Sequence, residues 1–258
     1  MILGFGDESS HGNAVVFGIA GVPAQGAYRA ELVLAELKRR ARVPVWAPFH
    51  CREAFHPDAR RKSPWSALTD EAVFSFASTL VLATKKYGVR YFVGFIDRDL
   101  VPASLDLGTP VEGGKRIGMN LESNKELSVL AYWSAAARSH HVFPGQELRI
   151  VVDPDRTQIR FLGEGRGQVS RKLGLFLDLG SSSEPPFHEL EVPVGPKPPL
   201  LQLADALSYF AAHAVSKTPC RSKRIFQHTF KAARADVTRL AGPWGTSEVA
   251  WQTKANGQ

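Results

Sequence analysis

The chain has 258 residues, of which 44% are hydrophobic, and this is enough apolar material for one large domain or at most two small ones. Its apolar runs, such as 14–22 and 74–83, are shorter than the roughly 18 residues that a membrane helix needs, and the amino terminus lacks the basic leader of a signal peptide. Two cysteines, Cys51 and Cys220, exclude a disulfide scaffold and lack zinc-site spacing, so we expect a cytoplasmic protein in which both are structural or incidental. The formal net charge of +7 favours a polyanionic partner.

Periodicity and turn residues predict a β-hairpin at the start of the chain, followed by two helices. The predicted elements are strands at 2–5 and 14–22 and helices at 27–43 and 69–87. Asp7 is then expected at the carboxyl end of the first strand. Thr69 is a suitable N-cap for the second helix, and Gly88 is a suitable stop. We therefore treat residues 27–87 as a helical insertion after the hairpin.

Strands and helices alternate beyond this insertion. They are predicted as strands at 89–96, 148–152 and 188–194, helices at 121–141, 168–179 and 200–215, and a basic helix at about 222–240. The strand at 148–152 is almost wholly apolar, as expected for a strand buried on both faces, and it stops at Asp153. No repeat or linker divides the sequence, so we predict a single domain over residues 1–258.

The order of these elements is that of a ribonuclease H-like α/β fold, with a mixed five-stranded sheet flanked by helices. In that topology the first and fourth strands are parallel neighbours. Asp7 and Asp153 are therefore expected at the same sheet edge, roughly 5 Å apart. Asp205, one turn into the helix at 200–215, would bring a third carboxylate to this edge.

Three converging carboxylates repel one another and raise one another's pKa unless a cation neutralises them. Mg²⁺ and Mn²⁺ prefer such oxygen ligands, and two ions about 3.5 to 4 Å apart activate water in phosphodiester hydrolysis. The cluster therefore predicts a metal-dependent nuclease with Asp7, Asp153 and Asp205 as metal ligands. Each aspartate taken alone also fits an ordinary role, as a turn residue, a loop residue before proline, or a helix cap.

Four segments of the sequence resemble the family catalogued as "domain of unknown function 3800", which is similar to ribonuclease H-like nucleases. The segments are 6–10, 17–22, 151–153 and 201–207, the last reading Leu-Gln-Leu-Ala-Asp-Ala-Leu. The resemblance extends from residue 1 to about 215 and implies a metal-dependent nuclease fold with the three aspartates in the acidic site. The chain differs from the family at Ser10, where glycine is common, and at Phe49, where an acid commonly precedes the histidine. The second difference removes a possible fourth ligand.

Two further residues are candidates for the catalytic machinery. A ribonuclease H-like site usually takes a glutamate from the helix between the third and fourth strands, where Glu122 and Glu126 lie one turn apart. We select Glu126, although a solvated helix acid fits equally well. His50 could act as a proton shuttle or phosphate contact, because histidine titrates near neutral pH, and a structural role is the alternative.

The segment after the helix at 200–215 is basic and predicts a surface for nucleic acid. Its candidate phosphate contacts are Lys217, Arg221, Lys223 and Arg224. A solvated amphipathic face, with Ile225 and Phe226 packed inward, is a compatible alternative. The leading hypothesis is thus a Mg²⁺- or Mn²⁺-dependent nuclease acting on DNA or RNA. The chief alternative is a catalytically inactive nucleic-acid or protein interaction module on the same fold.

Overall fold

The computed structural model of the chain describes residues 1–106, 118–152, 190–191, 198–240 and 251–253. Its strands are β1 (Ile2–His11), β2 (Ala14–Pro23), β3 (Arg90–Asp97), β4 (Ser104–Asp106), β5 (Gly118–Asn120), β6 (Leu148–Val152), β7 (Leu190–Glu191), β8 (Asp236–Leu240) and β9 (Trp251–Thr253). Its α-helices are α1 (Ala24–Arg40), α2 (Cys51–Phe55), α3 (Pro57–Arg60), α4 (Asp70–Thr84), α5 (Asn124–Val142), α6 (Leu201–Val215) and α7 (Lys223–Ala233).

The central sheet has the strand order β7-β6-β1-β2-β3-β8-β9, and β4 and β5 form a separate ribbon. β1 is antiparallel to β2, and β2 is antiparallel to β3, whereas β6 is parallel to β1 and β7 is parallel to β6. The predicted α/β class, with a mixed sheet flanked by helices, is confirmed. The five predicted strands are adjacent in the sheet, and β8 and β9 extend it beyond β3.

Two apolar layers cover opposite faces of the sheet. One layer joins the sheet to α1, α4, α6 and α7 through residues such as Phe5 and Leu203. The other joins it to α5 through residues such as Phe17 and Leu130. Because successive side chains of a strand face opposite sides, β1, β2, β3 and β6 each contribute to both layers. The helix carrying Asp205 and the helix carrying Glu126 therefore lie on different faces of the sheet.

The first strand is longer than predicted. β1 continues in register with β2 through Ser10 and His11, and the turn is reduced to Gly12 and Asn13. Gly12 has a φ of 55°, a backbone conformation that glycine adopts without steric strain. The prediction that Asp7 ends the strand was therefore wrong. Asp7 lies inside β1, on a backbone that continuous pairing with β2 makes rigid.

The predicted basic helix at 222–240 was too long. Helix α7 ends at Ala233, Arg234 adopts a left-handed conformation with φ 49°, and Asp236–Leu240 form β8 beside β3. The guanidinium group of Arg138 on α5 pairs with Asp236 at 2.9 Å and ties the start of this strand to the helix layer. The predicted helix at 168–179 lies outside the described residues, and the predicted strand at 188–194 is described only as β7.

The helical insertion contains the two predicted helices and two short ones. Helix α1 begins and ends three residues earlier than predicted, and the last three residues of the predicted second helix, 85–87, form a 3₁₀ turn after α4. The Thr69 hydroxyl accepts a hydrogen bond from the Ala72 amide at 3.2 Å, and Gly88 ends the element with a φ of 83°, as expected of a cap and a stop. The buried Lys38 ammonium donates to the carbonyl oxygens of Val45 and Ala47. These two bonds fix the loop that leads into α2.

Phe49 anchors the end of this loop in the core. Its side chain is fully buried, and its ring centroid lies 4.9 Å from that of Trp65 and 5.0 Å from that of Phe76. Edge-on and tilted contacts of this kind are favourable for aromatic rings. Phe49 thus positions His50 and Cys51, which follow it directly.

We expect Phe49→Ala to lower the free energy of unfolding by about 3 to 5 kcal/mol, because it removes a fully buried aromatic ring. Trp46→Ala is the matched control in the same loop. Its side chain is 79% exposed, so the change should be within about 0.5 kcal/mol. Urea unfolding of both variants measures the difference, and equal losses would show that Phe49 is not the anchor.

Candidate active site

Asp7 lies on the face of the sheet that α6 covers. Phe5, two residues earlier, packs in the α6 layer, and the alternation of side chains places Asp7 on the same side. The Ser208 hydroxyl of α6 donates a 2.7 Å hydrogen bond to the Asp7 carbonyl oxygen. Gly18, opposite Asp7 on β2, makes this approach possible, because a Cβ atom there would lie 2.4 Å from the Ser208 Oγ.

Asp205, in the second turn of α6, holds the start of α2. Its Oδ2 atom accepts a 2.9 Å hydrogen bond from the Cys51 amide, and the Gln202 Oε1 atom accepts a 2.8 Å bond from the Phe49 amide. Gln202 and Asp205 are three residues apart and therefore share one face of the helix. The predicted motif Leu-Gln-Leu-Ala-Asp thus has a physical role, because its two polar residues bind the backbone of residues 49–51.

The charges of both carboxylates affect the pKa of the Cys51 thiol. It is fully buried and hydrogen-bonded to Asp205, and its pKa is raised well above the usual value by burial and by the negative charges of Asp205 and Asp7. Both charges therefore act on a single buried atom. The site has the negative potential that attracts a cation, and the thiol is neutral at physiological pH.

His50 lies at the exposed side of this group. Its Nδ1 atom is 3.7 Å from the Asp205 Oδ2 atom, which is longer than a direct hydrogen bond, and its side chain is 41% exposed. The imidazole would form an ion pair with Asp205 when it is protonated. The sequence-based selection of His50 thus falls on a residue that the structure brings to Asp205.

Asp153 lies outside the described residues. The register of β1 with β6 is described as far as Gly6, which pairs with Val152. The predicted parallel pairing of the first and fourth strands is therefore confirmed up to the residue before Asp153.

Glu126 is held in a different environment. It lies in the first turn of α5, on the other face of the sheet, and its Oε2 atom accepts a 2.7 Å hydrogen bond from the Asn120 amide. Glu122 is exposed in the loop before α5, and its amide donates to the Asn120 side chain. Both glutamates thus belong to the polar connection between β5 and α5, and Glu126 has a capping contact there.

The predicted phosphate contacts follow the carboxyl end of α6, ten residues or about 15 Å along the helix from Asp205. Lys217 pairs with Asp97 and Asp99 at 3.0 Å, and Lys223 donates to the Ser216 carbonyl. Arg221 and Arg224 are exposed.

Asp97 is the buried carboxylate with which Lys217 forms an ion pair. The carboxylate is buried, which favours the neutral acid, but hydrogen bonds from Asn13 and Lys217 outweigh this effect and lower its pKa. Asp97 therefore stays ionised and ties the hairpin turn to the segment after α6.

Comparison of the chain with known protein families, curated proteins and solved structures finds no match. The function is therefore inferred from the geometry and chemistry of the described residues.

No helix in the described part of the chain combines the length and apolar character needed to cross a membrane.

Sequence reasoning missed three residues of the site. Cys51 was assigned a structural or incidental role, yet the charges of both aspartates raise its pKa. Gln202 binds the Phe49 amide, and Ser208 binds the Asp7 carbonyl. The helical spacing of Gln202, Asp205 and Ser208, at three-residue intervals, was the available signal, since it puts all three on one face.

We expect Asp205→Asn to change the free energy of unfolding in EDTA by less than about 1 kcal/mol, because asparagine can still accept the Cys51 amide hydrogen bond. Asp205→Leu has a similar volume and no acceptor, so it should cost about 1 to 3 kcal/mol more. Asp58 is the control, because its side chain is 91% exposed. Asp58→Asn and Asp58→Leu should each change the free energy of unfolding by no more than about 0.5 kcal/mol. Thermal and urea unfolding measure these differences. Equal stability of the Asn and Leu variants at position 205 would contradict the anchoring role.

Proposed function

We propose that this protein is a Mg²⁺- or Mn²⁺-dependent nuclease of the ribonuclease H-like kind, in which Asp7, Asp153 and Asp205 hold the metal. The observation that carries the proposal is the packing of α6, which carries Asp205, onto β1 at Asp7, where the Ser208 hydroxyl bonds to the Asp7 carbonyl oxygen. In agreement with this packing, the charges of both aspartates raise the pKa of the buried Cys51 thiol. Carboxylates that a fold brings together from distant parts of the sequence, at a site of negative potential, are typical of hard-cation sites.

The donor set fits such an ion. Asp7 and Asp205 offer carboxylate oxygens, which Mg²⁺ and Mn²⁺ prefer, and both side chains are partly open to solvent. Asp153 follows Val152 by one peptide bond, and Val152 pairs with Gly6, so we propose that Asp153 supplies a third carboxylate within reach of Asp7. When bound, the metal would supply Lewis-acid activation of water and neutralisation of charge on a phosphodiester.

The protein's own groups orient these ligands. The Ser208 hydroxyl fixes the backbone of Asp7, and the Cys51 amide and thiol fix the carboxylate of Asp205. Hydrogen bonds to a ligating carboxylate hold its orientation and tune its basicity. His50, exposed beside Asp205, would give or take a proton at its Nδ1 atom or contact a substrate phosphate.

The strand order supports the same class of protein. The five strands β7-β6-β1-β2-β3, with two antiparallel pairs and two parallel pairs, follow the order expected of a ribonuclease H-like sheet. The family resemblance of residues 6–10 and 201–207 also falls on the strand and helix that carry Asp7 and Asp205. We include membership of that family in the proposal, together with a cytoplasmic location.

Nucleic acid is the proposed substrate. The net charge of +7 favours a phosphate polymer, and the exposed Arg221 and Arg224 give the segment after α6 two cations for its backbone. Lys217 and Lys223 are engaged in local contacts, so we assign them a smaller part in this surface than the arginines.

A second candidate function is an inactive interaction module on the same fold. Phe49 favours it, because the position where the resembling family commonly has an acid is here a fully buried aromatic residue of the core. This position cannot supply a ligand. Turnover then depends on whether Asp7, Asp153 and Asp205 suffice, with Glu126 as the remaining candidate acid.

We expect the metal-stripped protein to bind one or two Mn²⁺ ions and to cleave labelled DNA or RNA oligonucleotides when Mn²⁺ or Mg²⁺ is added. Asp7→Asn, Asp153→Asn and Asp205→Asn should each lower cleavage by about two orders of magnitude or more, because asparagine lacks the charge that a hard cation requires. Calorimetric titration with Mn²⁺ and gel assays of single- and double-stranded substrates make the measurement.

Asp58→Asn is the matched control and should keep both activities, since its side chain is 91% exposed. Glu126→Gln tests the fourth acid in the same assay. Cleavage that survives all three aspartate changes would refute the proposed site. Nucleic-acid binding without metal binding or cleavage in the unmodified protein would favour the inactive module.

A further inference from the structure

A second group of metal-ligating side chains lies away from the carboxylates. It consists of His11 at the end of β1, His213 near the end of α6, and Cys220 in the connection between α6 and α7. One ligand atom from each residue lies within 4.8 Å of the other two. The group belongs to the face of the sheet that α6 covers, four residues along β1 from Asp7 and eight residues along α6 from Asp205. These spacings correspond to roughly 12 to 13 Å, so it is a separate site.

The two imidazoles have buried nitrogen atoms without a hydrogen-bond partner in the described part of the chain. These atoms are the His11 Nε2 and the His213 Nδ1. The rings are stacked, with centroids 3.9 Å apart and planes 25° from parallel. A buried polar atom without a partner is unfavourable and uncommon in folded proteins. A cation between these side chains would satisfy both nitrogens.

Both histidines are in the form that binds metals. Burial, together with the charges of His11 and His56, lowers the pKa of His213 to about 4. Burial and the neighbouring Lys223 ammonium lower the pKa of His11. Both imidazoles are therefore neutral near pH 7, each with a lone pair for a metal ion.

The backbone around the three residues is fixed by several contacts. The Lys217 amide donates to the Asn13 side chain at 2.9 Å, which ties the connection after α6 to the hairpin turn. Thr218 packs onto Gly12 so closely that a Cβ atom at Gly12 would lie 1.8 Å from the Thr218 Oγ1. His11 and Cys220 are thus each within two residues of a fixed contact, and His213 lies on a rigid helix.

We propose that His11, His213 and Cys220 form a zinc-binding site that joins the end of β1 to the end of α6. Two imidazoles and one thiolate are ligands that suit Zn²⁺ and not Mg²⁺ or Mn²⁺. On binding, the Cys220 thiol loses its proton to solvent and forms the Zn–S bond, and water completes the fourth position. Zn–N and Zn–S bonds are about 2.0 to 2.3 Å long, so ligand atoms that lie within 4.8 Å of one another would move toward the ion by less than about 1 Å.

A Zn²⁺ ion bound at this site would stabilise the fold. Zn²⁺ that binds the folded chain and not the unfolded chain raises stability in proportion to its affinity and concentration. It would hold α6 against β1 from the end opposite Asp205, with no direct part in the chemistry of the carboxylates. This inference does not depend on the proposed nuclease activity.

Metal binding to the full-length chain tests the proposal. After EDTA treatment and desalting, we expect the protein to bind Zn²⁺ and to melt at a higher temperature in its presence. Titration with Co²⁺ alone should give a thiolate-to-cobalt charge-transfer band that saturates at one ion per chain. Zn²⁺ should also protect Cys220 from alkylation by iodoacetamide.

Cys220→Ala should abolish the charge-transfer band. Cys220→Ala and His11→Asn should each weaken Zn²⁺ binding by at least about 100-fold. Mutating a residue that only orients a ligand typically lowers metal affinity by about 10- to 100-fold, and losing the ligand itself should cost more. Either variant is sufficient if the other fails to fold. His228→Asn is the matched control, because His228 is exposed on α7 and should not alter binding.

Two results would overturn the proposal. One is the absence of the charge-transfer band from the unmodified protein, or its persistence in Cys220→Ala. Persistence would show that the thiolate belongs to Cys51. The other is a Zn²⁺ affinity that stays within about threefold of the unmodified protein in both ligand variants. Asp205→Asn separates the two sites, because it should remove Mn²⁺ binding and leave the cobalt band unchanged.

Discussion

The packing of α6 against the hairpin β1–β2 positions both candidate sites. Its closest point is the hydrogen bond from the Ser208 hydroxyl to the Asp7 carbonyl, in the space that Gly18 leaves for it. Because a helix is rigid, this contact sets the height of Asp205 beside Asp7 and of His213 beside His11. A side chain at position 18 would push the helix outward and separate both pairs of residues.

The helical insertion supplies the second constraint. Its Phe49 packs in the core against Trp65 and Phe76, and Cys51, two residues later, contacts Asp205 on α6. The Cys51 amide then donates a hydrogen bond to the Asp205 carboxylate. In the proposed enzyme the insertion thus orients an acidic ligand.

Periodicity in the sequence was sufficient to predict the α/β class and the presence of the strands near Asp7, although the first of them was predicted too short. The apolar strand at 148–152 and the helix at 200–215 were placed within a residue of β6 and α6, because tertiary packing agrees with their local pattern. The continuation of β1 through Ser10 and His11 was missed, since serine before glycine resembles a turn and only pairing with β2 makes it a strand. The His11, His213 and Cys220 group was missed for a related reason. Its members are far apart in the sequence, so no local spacing indicates them.

The central claim is that Asp7 and Asp205 hold a divalent cation. A crystal structure of the protein with Mn²⁺, with the ion located by its anomalous scattering, tests it most directly. The account predicts an anomalous peak with carboxylate oxygens of Asp7 and Asp205 at about 2.0 to 2.6 Å, and with Asp153 among its ligands. An ion bound elsewhere, or Asp7 and Asp205 carboxyl groups more than roughly 8 Å apart, which is too far to share one ion, would contradict it.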